Sequence, residues 1–253
     1  MIMKDAEIKS AVVLFSGGVD STYLVFKNAP FYERLILITY KVPGMRNVEF
    51  SRRSAGQLIS FYGDKITHEI LDIRDFIYAL RGNARDCIKD NLKYGFYCSW
   101  CLGCRIAMHL STIKFCQENN IALVLEGSNF YDRESLPQRQ EILAVIEKAY
   151  QKAAVKLATP CYYEENMPLS VNKFLSFLRI IRLFKDNTSF RFHYLKKQGI
   201  DLGLGFISQY RSTQPSCLTS IFFNGLRPYL KIFRKESKDG YLKYAEDIIA
   251  KLK

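Results

Sequence analysis

The chain reads as an α/β protein: a five-stranded, mostly parallel sheet with helices on both faces, followed by a small helical C-terminal region. Three observations predict this. Ala11–Phe15 (AVVLF) is a short unbroken apolar run, the pattern of a strand buried on both faces of a parallel sheet. Further apolar runs recur along the chain and alternate with helical segments, the signature of βαβ units with right-handed crossovers. The 253 residues are 48% hydrophobic and 25% charged, enough for a large packed core and too apolar for wholesale disorder.

The first apolar run passes directly into Ser16-Gly-Gly-Val-Asp-Ser21, and a helical pattern follows through Thr22, Leu24, Val25 and Phe26. Later strands are expected at Leu35–Tyr40, Ile66–Ile73, Ala122–Glu126 and Val155–Ala158. Helical segments such as Val48–Tyr62 and Arg105–Asn119 lie between them. After about Pro160 the texture changes. Phe174–Phe184 interleaves Phe, Leu and Ile with Arg179 and Arg182, and Lys185 follows. Phe190–Leu195, a glycine-punctuated stretch and Gln214-Pro-Ser-Cys-Leu-Thr219 precede an amphipathic helix expected near Tyr241–Leu252. In such a sheet the site is expected at the carboxyl ends of the strands.

No apolar run approaches the roughly 18 residues of a membrane span, and AVVLF is shorter than the roughly 7–15 apolar residues of a signal sequence. A cytoplasmic protein without a membrane partner is expected. The net charge is +12, unevenly spread. Ser170–Lys253 holds 16 Lys+Arg against 6 Asp+Glu, and the first 169 residues hold 21 against 19. A basic C-terminal third predicts an anionic partner: a phosphate-bearing small molecule, RNA or an acidic protein. A solvated lysine-rich face is the plain alternative. The Phe174–Lys185 segment could grip RNA or a membrane surface, but a helix packed at a domain or subunit boundary accounts for it better, and a homo-oligomer is expected.

A strand, then SGGVDS, then a helix is an arrangement that binds phosphate. Gly17 and Gly18 allow positive φ and close approach, so several backbone N–H groups can converge on one anion. The helix that follows aims the positive end of its dipole at the same place. Ser16 and Ser21 add hydroxyl donors, and Asp20 could orient a metal or the loop itself. Replacing Asp20 or Ser21 is expected to suppress turnover and leave the fold intact.

Seven cysteines stand at 87, 98, 101, 104, 116, 161 and 217. In a cytosolic protein such a set points to metal binding or catalysis before disulfides. Cys98-Ser-Trp-Cys101-Leu-Gly-Cys104, on a loop entering a helix, can bring three thiols to one metal centre. A redox-active thiol pair is the alternative. Cys161 ends an expected strand and could be a further ligand, whereas Cys116 reads as core. The histidines at 68, 109 and 193 show no ligand-like spacing.

The SGGVDS loop after the first strand resembles the signature of the PP-loop (N-type) ATP pyrophosphatases. So does Leu125-Glu-Gly-Ser-Asn-Phe-Tyr-Asp132, where that family has a strand ending in G-(S/T/H)-N-x-x-D beside the nucleotide. The resemblance implies a Rossmann-like sheet and cleavage of ATP between its α- and β-phosphates. It puts Ser16, Gly17, Gly18, Asp20, Ser21, Gly127, Asn129 and Asp132 in the nucleotide site with Mg2+. Cys87, Cys98, Cys101 and Cys104 together resemble the zinc site of the 7-cyano-7-deazaguanine synthases. Their early position in the chain resembles instead the sulfur-transferring branch, the tRNA thiolation enzymes and the LarE-type sacrificial sulfur transferases.

The pattern Pro215-Ser-Cys217-Leu-Thr-Ser, then Asn224-Gly225 and a helix with Ala245-Glu246, is most similar to the LarE type. Ile221 stands where that pattern has an arginine. The implied protein is an ATP-dependent sulfur transferase with catalytic Asp20, Ser21 and Cys217. Cys98, Cys101, Cys104 and Cys217 would hold a [4Fe–4S] cluster or, alternatively, zinc. The implied acceptor is a small molecule bearing a phosphate or carboxylate, with tRNA as a second possibility. Residues 1–160 would form the PP-loop domain, and 161–253 the basic, mostly helical region carrying Cys217.

Overall fold

The computed structural model describes residues 9–94, 99–128, 136–162, 190–202, 216–217 and 238–251. Five strands form one parallel sheet: β1 (Ser10–Leu14), β2 (Arg34–Lys41), β4 (Ile66–Asp72), β5 (Leu123–Glu126) and β6 (Lys156–Ala158), in the order β4-β2-β1-β5-β6. The central strand β1 pairs in parallel with both neighbours, with Val12 opposite Ile36 on one side and Val124 on the other. Two short strands, β3 (Met45–Arg46) and β7 (Ser216–Cys217), pair antiparallel apart from the main sheet. The chain has the Rossmann-like α/β architecture that its sequence predicts.

Successive strand residues face opposite sides, and each side is capped by helices. Ala11, Val13, Leu35, Leu37, Leu123 and Leu125 pack in one core with α1 (Val19–Asn28), α2 (Ser51–Tyr62) and Leu195 of the late helix α7 (Phe190–Lys197). Val12, Ile36, Ile38 and Val124 pack on the other side. There they meet α3 (Arg74–Arg81), α4 (Ala84–Tyr94), α5 (Ser99–Glu118), α6 (Gln140–Lys152) and α8 (Lys238–Ala250). The two described helices of the basic segment therefore enter both layers: α7 lies on α1, and α8 on α4, α5 and α6. The Phe174–Lys185 segment lies outside the described residues. Among the described residues no helix is long and apolar enough to cross a membrane.

One expectation needs correction. Cys101 and Cys104 do not precede a helix but sit in the first turns of α5, which begins at Ser99 rather than near Arg105. Buried Leu102 and Ile106, four apart, continue the apolar face of the helix back through the cysteine arm.

The turn from β1 into α1 relies on Gly17, whose φ is +75°. A Cβ there would stand 2.8 Å from the Cα of Ser51, at the start of α2. Left-handed backbone costs a non-glycine residue about 1–2 kcal/mol, and here a clash with backbone is added. Gly199, at φ +83°, has open space around it. Gly17→Ala should therefore lower the urea midpoint by more than Gly199→Ala, which bears the conformational strain alone. Equal losses would show that the loop does not need this close approach.

Candidate nucleotide and sulfur site

The loop between β1 and α1 is fixed by its own side chains and by two neighbouring elements. Ser16 and Ser21 hydroxyls lie 3.0 Å apart across it, the Gly18 N–H donates to Ser16 Oγ at 3.2 Å, and Ser21 Oγ donates to the Gly18 carbonyl at 3.2 Å. From outside, Thr39 Oγ1 donates to the Phe15 carbonyl at 2.6 Å and Ser54 Oγ to the Gly17 carbonyl at 2.8 Å. Gly18 caps α1 without a side-chain hydrogen bond, so the first turn of the helix keeps N–H groups for an anion. Gly127, one residue past β5, lies against this turn, where a Cβ would come within 3.3 Å of the Ser21 nitrogen. Ser16, Gly17, Gly18, Asp20, Ser21 and Gly127 are thus brought together. Asn129 and Asp132 lie outside the described residues.

Asp20 is not left facing solvent. Arg191 of α7, fully buried, donates from Nη1 to Asp20 Oδ1 at 2.7 Å and from Nη2 to the Cys161 carbonyl at 2.7 Å, with its plane over the Tyr23 ring. Sequence reading missed Arg191, because nothing local marks a partner 171 residues away. Cys161 itself is buried in the core on the α1 side of the sheet.

A second network lies at the end of β5. Glu126 is buried and accepts from Arg105 Nη2, while His109 Nε2 stands 3.5 Å from the same carboxylate oxygen. Arg105 also donates to Ser128 Oγ at 2.7 Å, and His109 Nδ1 meets the Tyr150 hydroxyl at 3.0 Å. Burial alone would raise the Glu126 carboxyl, but the Arg105 charge and the His109 contact outweigh it and hold it down to about 2. Burial keeps His109 neutral by lowering it. Arg105 and His109 fall four apart on the helix expected over Arg105–Asn119, but nothing local marks Glu126 as the partner that they share.

His68 stands behind the loop between β1 and α1. Its ring packs edge-on against Phe15, and Nε2 lies 2.9 Å from Thr39 Oγ1 and 3.4 Å from Ser51 Oγ. Both hydroxyls commit their hydrogens to carbonyls, of Phe15 and Val48, so His68 Nε2–H is the donor. Burial, reinforced by Arg52, lowers its pKa to about 4.

The thiols of α4 and α5 lie on the other face of the sheet. Cys104 is buried on α5 and accepts at Sγ from Arg81 Nη1 at 3.1 Å; Cys101 is half-buried one turn earlier. Cys87 of α4 is buried, and burial pushes its thiol up against the opposing pull of Arg81. Cys116 is core, as its sequence context suggested, with its thiol pushed up to about 12 by burial. Cys98 and the side chain of Cys217 lie outside the described residues. The backbone of Cys217, on β7, pairs with Met45 of β3. That strand lies just beyond the carboxyl end of β2. Among the described residues no three His, Cys, Asp or Glu side chains gather as a metal site. The chemistry of the arm nonetheless fits a thiolate-bound centre: Cys101 and Cys104 are a helical turn apart, and the buried Arg81 beside Cys104 keeps Nε and Nη2 without partners.

No family model matches the chain, and no curated protein matches it. Among solved structures, a predicted tRNA methyltransferase subunit from Methanocaldococcus jannaschii is 16% identical, covers 83% of this chain and 96% of its own, and has a TM-score of 0.41. A 4-thiouridine synthetase–RNA complex with bound ATP is 20% identical over 60% of this chain and 36% of its own, at 0.42. The U34-tRNA thiolase NcsA from Methanococcus maripaludis with its [4Fe–4S] cluster is 14% identical over 96% of this chain and 73% of its own, at 0.44. Likeness at this level carries no functional weight for this chain.

Two outcomes follow from the buried charges. Asp20→Asn leaves Arg191 buried without its carboxylate, so it should destabilise the protein by about 3 kcal/mol in urea unfolding. Pairing it with Arg191→Met should restore much of that loss; an additive double mutant would refute the coupling. For His68, the folded value of about 4 lies below the ordinary 6.5. Between these values the unfolded chain takes the proton and the folded one does not. Stability is therefore full above 6.5 and declines as pH falls towards about 4. Unfolding midpoints across that range should decline less in His68→Gln, which keeps a donor without a titrating ring; parallel curves would exclude the residue as the cause.

Proposed function

We propose that this chain is an ATP-dependent sulfur transferase that adenylates an acceptor oxygen and replaces it with sulfur. The observation that carries the reading is the meeting of two devices at one sheet edge. The fixed Ser16–Ser21 loop contacts Gly127, and Glu126 beside it is gripped by Arg105, the residue next to Cys104.

The loop takes the phosphates of ATP. Amides of α1 and the Ser16 and Ser21 hydroxyls stabilise the negative charge that grows on the α-phosphate as the acceptor oxygen attacks and pyrophosphate leaves. Mg2+ accompanying ATP would share that charge. SGGVDS lacks the lysine that serves β- and γ-phosphates in GxxxxGK(S/T) loops, which favours cleavage at the α-phosphate. Asp20, tied to Arg191, orients the first turn of α1. A sulfur nucleophile then bonds to the activated carbon as its C–O bond breaks, and AMP departs with the electron pair.

Ligands drawn from Cys98, Cys101, Cys104 and Cys217 would hold a [4Fe–4S] cluster, with zinc as the alternative. When bound, a cluster held by three protein thiolates supplies an iron open to sulfur. The antiparallel pairing of β7 with β3 supports a role for Cys217 at this edge, as ligand or as sulfur donor. The acceptor is a small molecule bearing phosphate or carboxylate. Thiolation of tRNA is the second reading, favoured by the 16 Lys+Arg against 6 Asp+Glu of the C-terminal third.

Product analysis after anaerobic reconstitution should find AMP and pyrophosphate; ADP as the main nucleotide product overturns the assignment. Ser21→Ala should slow pyrophosphate release by about 100-fold. Labelled sulfur recovered in bulk tRNA selects the second reading.

A further inference from the structure

Arg81 ends α3 and is 2% exposed. Its Nη1 donates to Cys104 Sγ at 3.1 Å and to the Trp100 carbonyl at 3.4 Å, and its guanidinium lies over the Trp100 ring at 4.1 Å. Nε and Nη2 are buried and have no hydrogen-bond partner. Among the described residues no carboxylate pairs with it, whereas Arg191, the other fully buried arginine, has Asp20. A buried cation without an opposite charge costs several kcal/mol, so its retention calls for a counter-charge.

The surrounding packing admits this arginine specifically. A Cβ on Gly103 would meet Tyr244 Oη at 2.7 Å and Arg81 Cδ at 2.9 Å, so glycine in α5 is what lets the Arg81 stem lie against the helix between Trp100 and Cys104. Every buried group the guanidinium touches is an aromatic face, a carbonyl or sulfur.

We propose that Arg81 is the positioning counter-charge of an anionic sulfur–metal centre to which Cys101 and Cys104 of α5 contribute, with Cys104 the ligand that it touches. This rests on the sulfur-transferase reading. A guanidinium beside a ligand sulfur favours the thiolate, the form that binds metal, over the thiol, and its positive charge lets an anionic centre accept an electron more readily.

The full chain and its Arg81→Gln and Arg81→Lys variants, reconstituted anaerobically with ferrous iron and sulfide, provide the test. Iron and sulfide per chain, iron release to a chelator, and the midpoint potential from a spectroscopic redox titration are the readouts. Arg81→Gln should release iron about 10-fold more readily and titrate at a more negative potential, with Arg81→Lys between it and the wild type. If Arg81→Gln does not fold, the lysine variant carries the comparison, because it keeps the charge and loses the fork. Wild-type potential and iron retention in the folded variants overturn the inference and leave the cluster reading standing. A wild-type chain that takes up no iron and sulfide overturns both.

Discussion

Two hydrogen bonds decide whether the first loop can serve an anion: Thr39 to the carbonyl of Phe15 and Ser54 to the carbonyl of Gly17. A trans peptide points its C=O and N–H in opposite directions, so tethering each carbonyl also aims the next amide, of Ser16 and Gly18. Those amides then meet the Ser16 and Ser21 hydroxyls inside the loop. An anion site made of backbone dipoles is effective only when the dipoles are set before the charge arrives. The neutral His68 ring, donating to the Thr39 and Ser51 hydroxyls, holds the outer layer of this arrangement in place.

Charge on the inside of the protein is organised by three arginines. Arg191 joins the late helix α7 to the start of α1 through Asp20, and Arg105 joins α5 to the end of β5 through Glu126. Both are long-range ties between a helix and the edge where strands end. Arg81 has the same burial as Arg191 but sulfur in place of a carboxylate. The first two pairs hold the architecture of the edge; the third marks where its chemistry departs from ordinary ion pairing.

The parallel sheet was legible because β1, β2 and β5 are compact apolar runs. β4 mixes Thr67, His68, Glu69 and Asp72 among its apolar residues and β6 is short, yet the bounds of all five strands differ from the expected ones by a residue or so at either end. The SGGVDS loop was legible for a similar reason: its backbone demands and its residue types lie next to each other in the chain. Arg191, Glu126 and His68 were not, because each acquires its partner across the fold, and a lone arginine or histidine carries no local mark of that partner. The start of α5 was misread because cysteines and a glycine resemble loop composition. The apolar spacing of Leu102 and Ile106 is the signal that overrides it.

Cys104 and Arg105 are consecutive residues of one continuous 20-residue helix. Neighbouring positions on a helix differ by about 100° in direction and 1.5 Å in height, a relation that side-chain motion does not alter. One of the pair addresses the Arg81 nest and the other the Glu126 carboxylate. An insertion or deletion of a single residue between them would swing one group out of its setting while leaving the other in place. The helix thus acts as a vernier between these two contacts, fixing their relative direction and height by its length alone.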